Sequence, residues 1–155
     1  MNDLDTGFET FAKTAEPRLR FALVARYGVE TGTEATIDAL TYGWRHWDRV
    51  GVMANPIGYL YRVGRNRAVR LLPRHGKPRF PEAEPEREPW VEPGLPTALG
   101  RLSSRQRQAV VLVHAFEWTH EEVANLLGVR PTTVQNHVER GLTKLRGALK
   151  VTDHV

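Results

Sequence analysis

The segment PRHGKPRFPEAEPEREPWVEPG, Pro73 to Gly94, constrains the fold of this 155-residue chain more than any other. Pro73, Pro78, Pro81, Pro85, Pro89 and Pro93 all fall within it. Each lacks an amide donor and disfavours helix in the residue before it, so no regular element is expected to run through them. Proline at this density predicts an extended, polyproline-like linker. The chain therefore divides into residues 1–72, a Pro-rich linker at 73–94, and residues 95–155. Its length lies between one ordinary domain and two small ones, and the linker predicts the second arrangement. Neither block holds a period-two segment of useful length, so an all-α fold is expected: two small helical domains, the C-terminal one a helix-turn-helix.

In the first block, Phe8, Phe11, Leu19, Leu23 and Tyr27 recur at roughly helical spacing, with Pro17 placed to bend or divide that helix. Gly28 and Gly32 mark a loop. TEATIDALTYGWRHWDRV follows, with Ile37, Leu40, Trp44 and Trp47 spaced by three and four along one face. A third helix opens at Asn55, a good N-cap, with Pro56 at the first helical position, where a missing amide costs nothing. Its expected stripe is Ile57, Leu60, Val63 and the stem of Arg67, and Pro73 is expected to end it. Trp44, Trp47 and Trp118 are read as core anchors.

The second block carries two capping boxes, Ser103 to Gln106 and Thr119 to Glu122. In each, a hydroxyl and a Glu or Gln three residues on satisfy free amides reciprocally. They predict a helix from about Ser104 to Phe116 and a short one through Leu127. Gly128 stands where a left-handed residue is wanted, and Pro131 starts the last helix. Val134, Val138, Leu142, Leu145 and Leu149 supply its inner face.

Two short helices joined at a Gly corner, the second polar at its start, make a helix-turn-helix. The outward face of the last helix offers Arg130, Thr132, Thr133, Gln135, Asn136, Arg140 and Lys144. Amides suit adenine, Arg suits guanine, and hydroxyls and amines suit backbone oxygens. The helix N-terminus adds free amides for a phosphate. A helical hairpin with a merely solvated polar face is the bland alternative. The first block presents Arg62, Arg65, Asn66, Arg67, Arg70 and Arg74 on one helix with Tyr59 and Tyr61 nearby, a pattern that suits nucleic-acid backbone and unstacked bases, though Arg-rich helical faces are also common solvated surfaces.

Other classes find no support. There is no cysteine, which removes disulfides, thiolate metal sites and a Cys nucleophile. His114 and His120 have no clustered carboxylates, so no metal site is expected, and no cofactor. No Gly-rich phosphate loop or GxSxG motif occurs, so no enzyme is expected. No apolar run approaches the ~18 residues of a membrane span, and the N-terminus has no signal-peptide core, so a cytoplasmic protein without a membrane partner is the expectation. The net charge of +4 leans toward an anionic partner.

Both blocks, in this order, resemble the sigma-70 family of RNA polymerase initiation factors, in particular its small two-domain members of the extracytoplasmic-function (ECF) type. NPIGYLYRVGRN, Asn55 to Asn66, is similar to the NPxxWLYRIARN-like end of that family's region 2. LSSRQRQAVVLVHAFEWTHEEVANLLGVRPTTVQNHVERGLTKLR, Leu102 to Arg146, is similar to region 4, a pattern shared with LuxR-type regulators. The resemblance implies that residues 95–155 read the −35 promoter element through the last helix. It implies that residues 1–72 bind the polymerase clamp through Thr36, Ile37, Asp38, Leu40 and Trp44. The −10 element would be met by the loop from Asp48 and by Asn55, Tyr59, Arg62, Arg65, Asn66, Arg67 and Arg70. Implied partners are promoter DNA, core RNA polymerase and, as for many relatives, an anti-sigma factor. Family members usually show AEDxxQ on the clamp helix where this chain reads ATIDAL, and Asp where it has Arg70. The alternative is a stand-alone helix-turn-helix regulator with a degenerate region 2.

Overall fold

The computed structural model describes residues 3–76 and 94–150. Most of the Pro-rich linker lies outside the described residues. Among those described there are helices and no strands. The first block forms α1 (Asp3–Tyr27), α2 (Val29–Arg45), the single turn α3 (Trp47–Val50) and α4 (Pro56–His75). The second forms α5 (Leu95–Arg101), α6 (Ser104–Val110), α7 (His120–Leu127) and α8 (Pro131–Lys150), with α6 continuing as a π-helical turn over Val111–Ala115.

α1 runs through Pro17 without dividing. Ala15 and Leu19, on either side of that proline, are both buried, and their packing holds the helix axis where one amide is missing. Only Gly28 breaks the chain before α2, at φ 92. Gly32, expected in a loop, lies inside α2, because a Cβ there would stand 2.5 Å from the Val24 backbone. α1 and α2 thus cross backbone to backbone, as only glycine permits. Asn55 caps α4 by accepting from the Gly58 amide at 3.1 Å, with Pro56 at its first position. The buried stripe of α4 is Leu60, Tyr61, Gly64, Ala68 and Leu71, rotated from the expected one; Ile57 and Val63 are half-buried and Arg67 is exposed. The helix also continues past Pro73 to His75. The carbonyl that Pro73 leaves without a donor belongs to Val69, which is exposed to water that can replace the amide.

Both capping boxes form as expected, Ser103 with Gln106 and Thr119 with Glu122. Gly128 is left-handed at φ 69, and its neighbour Val129 donates back to Ala124 O at 3.1 Å. The connection before α7 holds Glu117 at φ 58, the one positive-φ residue other than glycine among those described.

A single apolar cluster crosses the two blocks. Leu19, Leu23, Leu60 and Tyr61 from the first join Leu112, Val123, Leu126, Val134 and Val138 from the second. Complete burial of Leu19 or Leu23 contributes roughly 2 kcal/mol each. A smaller cluster of Ala98, Leu102, Val110 and Leu145 holds α5 against α8.

Candidate nucleic-acid interface

α8 is anchored on one side and free on the other. Val134, Val138 and Leu145 are buried, Leu142 and Leu149 half-buried. A Cβ on Gly141 would stand 2.6 Å from Val110 Cγ2, so α8 and α6 approach closely at that point. This fixes the outward face. Of the residues expected on the reading face, Arg130, Thr132, Gln135, Asn136, Arg140 and Lys144 are exposed and Thr133 is half-buried. Two of them have partners. Gln135 donates to Glu139 at 3.2 Å, and Lys144 donates to the Gln106 side chain at 3.1 Å. An exposed amide or amine can exchange such a bond for a base edge or phosphate at small cost.

His137, which the sequence reading passed over, is half-buried on α8. Burial first, then the Arg105 and Arg140 charges, hold its pKa below the usual imidazole value. Burial and the two guanidinium charges thus favour the neutral imidazole on this helix.

On α4, Arg62, Asn66, Arg67, Arg70 and Arg74 are exposed, and Arg65 is half-buried. Tyr59 is half-buried, and its hydroxyl pairs with that of Tyr42 at 3.3 Å. That hydrogen bond, then burial, raises the Tyr59 pKa. Tyr42 in turn accepts from Arg49. Asn55 does more than cap: its Nδ2 donates to Asn125 O at 2.8 Å on α7. Asn55, Tyr59, Arg62 and Arg65 line one wall of a cleft of about 240 Å³, and Asn125, Leu126, Leu127 and Gly128 line another. The start of α4 thus faces the helix-turn-helix corner, a pairing that no local pattern in either block announces.

α2 shows a different surface. Ile37 and Trp44, two turns apart, are 60% and 54% exposed, with Asp38 and Leu40 half-buried beside them. Trp44 is therefore a surface residue instead of the core anchor expected of it; Trp47 and Trp118 are half-buried, Trp47 packing on Phe8 and Phe11. Thr36, grouped with the clamp residues, is 2% exposed, and its hydroxyl donates to Gly32 O at 2.7 Å. Buried in this way, it cannot reach a partner.

Among the described residues no group of acids, histidines and cysteines could hold a metal, and no helix is long and apolar enough to cross a membrane.

The family model for sigma-70, region 4, matches residues 94–145, which cover α5 to most of α8. No curated protein matches the sequence. Among solved structures the chain is similar to the sigma factor RpoE from Bartonella quintana, solved in complex with the anti-sigma factor NepR, at 21% identity and a TM-score of 0.69. That likeness covers 93% of this chain and 97% of the other. Residues 94–145 thus match the sigma-70 region 4 model, and the chain as a whole shares the fold of the Bartonella quintana structure.

Proposed function

We propose that this protein is a sigma factor of the ECF type that directs core RNA polymerase to specific promoters. The observation that carries the proposal is the exposed polar face of α8, Gln135 and Asn136 with Arg130 and Arg140, inside the stretch that matches region 4. In this reading residues 95–155 bind the −35 element, with Gln135 and Asn136 on base edges and Arg140 on the backbone. Residues 1–72 act as region 2. The Ile37–Trp44 face of α2 docks on the polymerase clamp, and α4 with the loop before it holds the −10 strand through Arg62, Asn66, Arg67 and Arg70. Residues 73–94 connect the two. The work is binding and base unstacking, without covalent chemistry or a cofactor, in the cytoplasm. The solved neighbour was bound to an anti-sigma factor, which supports a partner of that kind here.

The test is co-migration of the purified chain with core polymerase, followed by initiation on genomic templates. Co-migration with initiation is expected. Tight promoter binding by the chain alone, with no initiation when polymerase is added, would point to a stand-alone regulator instead.

A further inference from the structure

The cleft at the start of α4 has cations in its wall and nothing to balance them. Arg62, Arg65, Asn55 and Tyr61 line it from α4 and its cap, Asn125 and Gly128 from the helix-turn-helix corner, around about 240 Å³. The Asn55 Nδ2 bond to Asn125 O at 2.8 Å fixes the two walls to each other. Arg62 reaches toward that corner, its Nη2 3.8 Å from where a Cβ on Gly128 would stand. Arg62 and Arg65 lie three residues apart on one helix, so their like charges are neighbours and repel. Among the described residues neither is in an ion pair, and no carboxylate lines the cleft.

The polar groups next to this wall are short of acceptors. Tyr61, 2% exposed, accepts from Gln108 Nε2 at 2.8 Å and from Arg26 Nη1 at 3.5 Å, and its own proton has no acceptor among the described residues. The buried Tyr27 hydroxyl has no partner there, and neither has the buried Arg26 Nε. Tyr27 shares Tyr61 and Arg65 with the cleft as electrostatic neighbours, and the charges acting on it, Arg26, Arg65 and Arg105, are all positive. The buried side chains of α6 spend their donors elsewhere. Gln108 Nε2 also donates to Ala22 O at 2.7 Å, and Arg107 to Ala25 O at 2.7 Å and Arg26 O at 3.0 Å, carbonyls in the last turn of α1 that have no donor within the helix. A buried donor without an acceptor is costly, and each orphan here is a donor. The missing partner is therefore an anion rich in acceptor oxygens. A carboxylate completes one guanidinium fork, whereas a phosphoryl group has oxygens for two forks and a phenol.

We propose that this cleft binds a phosphoryl group, as inorganic phosphate or as a small phosphate ester, held by Arg62 and Arg65 with Tyr61 donating to it. Water occupies about 30 Å³ per molecule in the liquid, so the cleft has room for roughly eight groups of that size. A bare phosphate does not fill it, which favours an ester of few carbons. Arg62 is also among the residues proposed to hold the −10 strand, so a bound ligand withholds it and the two compete. That consequence, unlike the site itself, rests on the promoter-reading function proposed above.

Isothermal titration of the full chain with glycerol phosphate and with inorganic phosphate, the ionic strength held constant with chloride, measures the site. One saturable site is expected, and a probe at about a hundred times its Kd should raise Tm by about 5–10 °C. Arg62→Ala and Arg65→Ala should each weaken binding about tenfold or more, and Tyr61→Phe, which keeps the ring, about threefold. Lys13→Ala removes an exposed charge of α1 outside the cleft and should change nothing. Tighter binding of glycerol phosphate assigns the site to an ester, and equal binding assigns it to free phosphate. No saturable heat with either probe, or binding that both arginine variants keep, would overturn the site. Should the half-buried Arg65→Ala lose helical circular dichroism, Arg62→Ala at an exposed position decides the matter. In reconstituted initiation, the tighter probe added to the chain before polymerase should lower transcript yield, with Tyr61→Phe needing about threefold more probe for the same loss. Binding without that loss would overturn the competition. A wild type that binds the probe, yet without it initiates no better than core polymerase alone, would sink the promoter-reading function and leave the site standing.

Discussion

Replacing Arg107 by Met tests how far the buried guanidinium stabilises the chain. Its pKa is pulled down to about 10 by burial, which still leaves it cationic at neutral pH. The substitution keeps most of the stem's packing and removes the donors to Ala25 O and Arg26 O. Each carbonyl left buried without a donor costs about 1–3 kcal/mol, so the two together cost about 2–6 kcal/mol. Relief from burying a cation offsets part of this, since well-packed apolar replacements of buried charges are often tolerated. The carbonyls end a helix and cannot find another donor in place, so the loss should win, at about 2–4 kcal/mol. For a chain of this size that lowers Tm by roughly 5–15 °C. Urea and thermal unfolding followed by circular dichroism measure both numbers. An Arg107→Met variant within about 0.5 kcal/mol of wild type would refute the reasoning, because water or relaxation would then be satisfying α1's end as well as Arg107 does.

Further expectations concern other parts of the fold. His137 has a folded-state pKa below its ordinary value of 6.5, so the unfolded chain takes up a proton that the folded chain refuses. Its effect is absent well above pH 6.5, and stability falls as the pH drops from there toward the folded pKa. In urea titrations His137→Gln should flatten that decline; an unchanged slope would remove His137 as its source. Glu117 occupies the left-handed region at φ 58, where a side chain costs about 1–2 kcal/mol. Glu117→Gly should therefore raise stability by roughly 0.5–1 kcal/mol after the entropy of an added glycine, and a destabilised variant would contradict this. Trp44→Ala and Ile37→Ala alter exposed side chains, so Tm should move little while affinity for core polymerase falls about tenfold or more. Equal affinity in a gel-shift or interferometry titration would exclude the α2 face as the docking surface. Arg140→Ala should lower the salt slope of promoter binding by the holoenzyme by about one, whereas changes at Gln135 or Asn136 should relax sequence preference.

What the sequence could disclose followed the range of each interaction. Capping boxes, the Asn55–Pro56 start and the left-handed Gly128 are contacts within a few residues, so their patterns are complete in the chain itself. The polar face of α8 was readable for the same reason: helical spacing separates it from Val134, Val138 and Leu145 without reference to any other element. Gly32 was misplaced because the reason for it is the backbone of Val24, across a helix crossing. Thr36 is buried instead of surface-exposed, and Trp44 is no core anchor, because α2 packs on α1 and α4 through small residues, Gly32, Ala35, Ala39 and Gly43. That turns the threonine inward and the tryptophan out. A stripe of small residues carries little hydrophobic weight, so the larger side chains pointed to the wrong face. Arg107 and Gln108 read as surface polar residues after a cap; only α1's unfinished carbonyls, distant in sequence, explain their burial. Pro17 and Pro73 did not stop their helices, since neighbouring packing in one case and solvent access in the other offset a single lost hydrogen bond.

The most direct test of the account is to map the 5′ ends of transcripts made by core polymerase reconstituted with this chain on genomic DNA. Start sites should share a two-part upstream sequence, and their yield should collapse when Gln135 and Asn136 are replaced together. Initiation no greater than that of core polymerase alone, or start sites without a shared upstream sequence, would contradict the assignment.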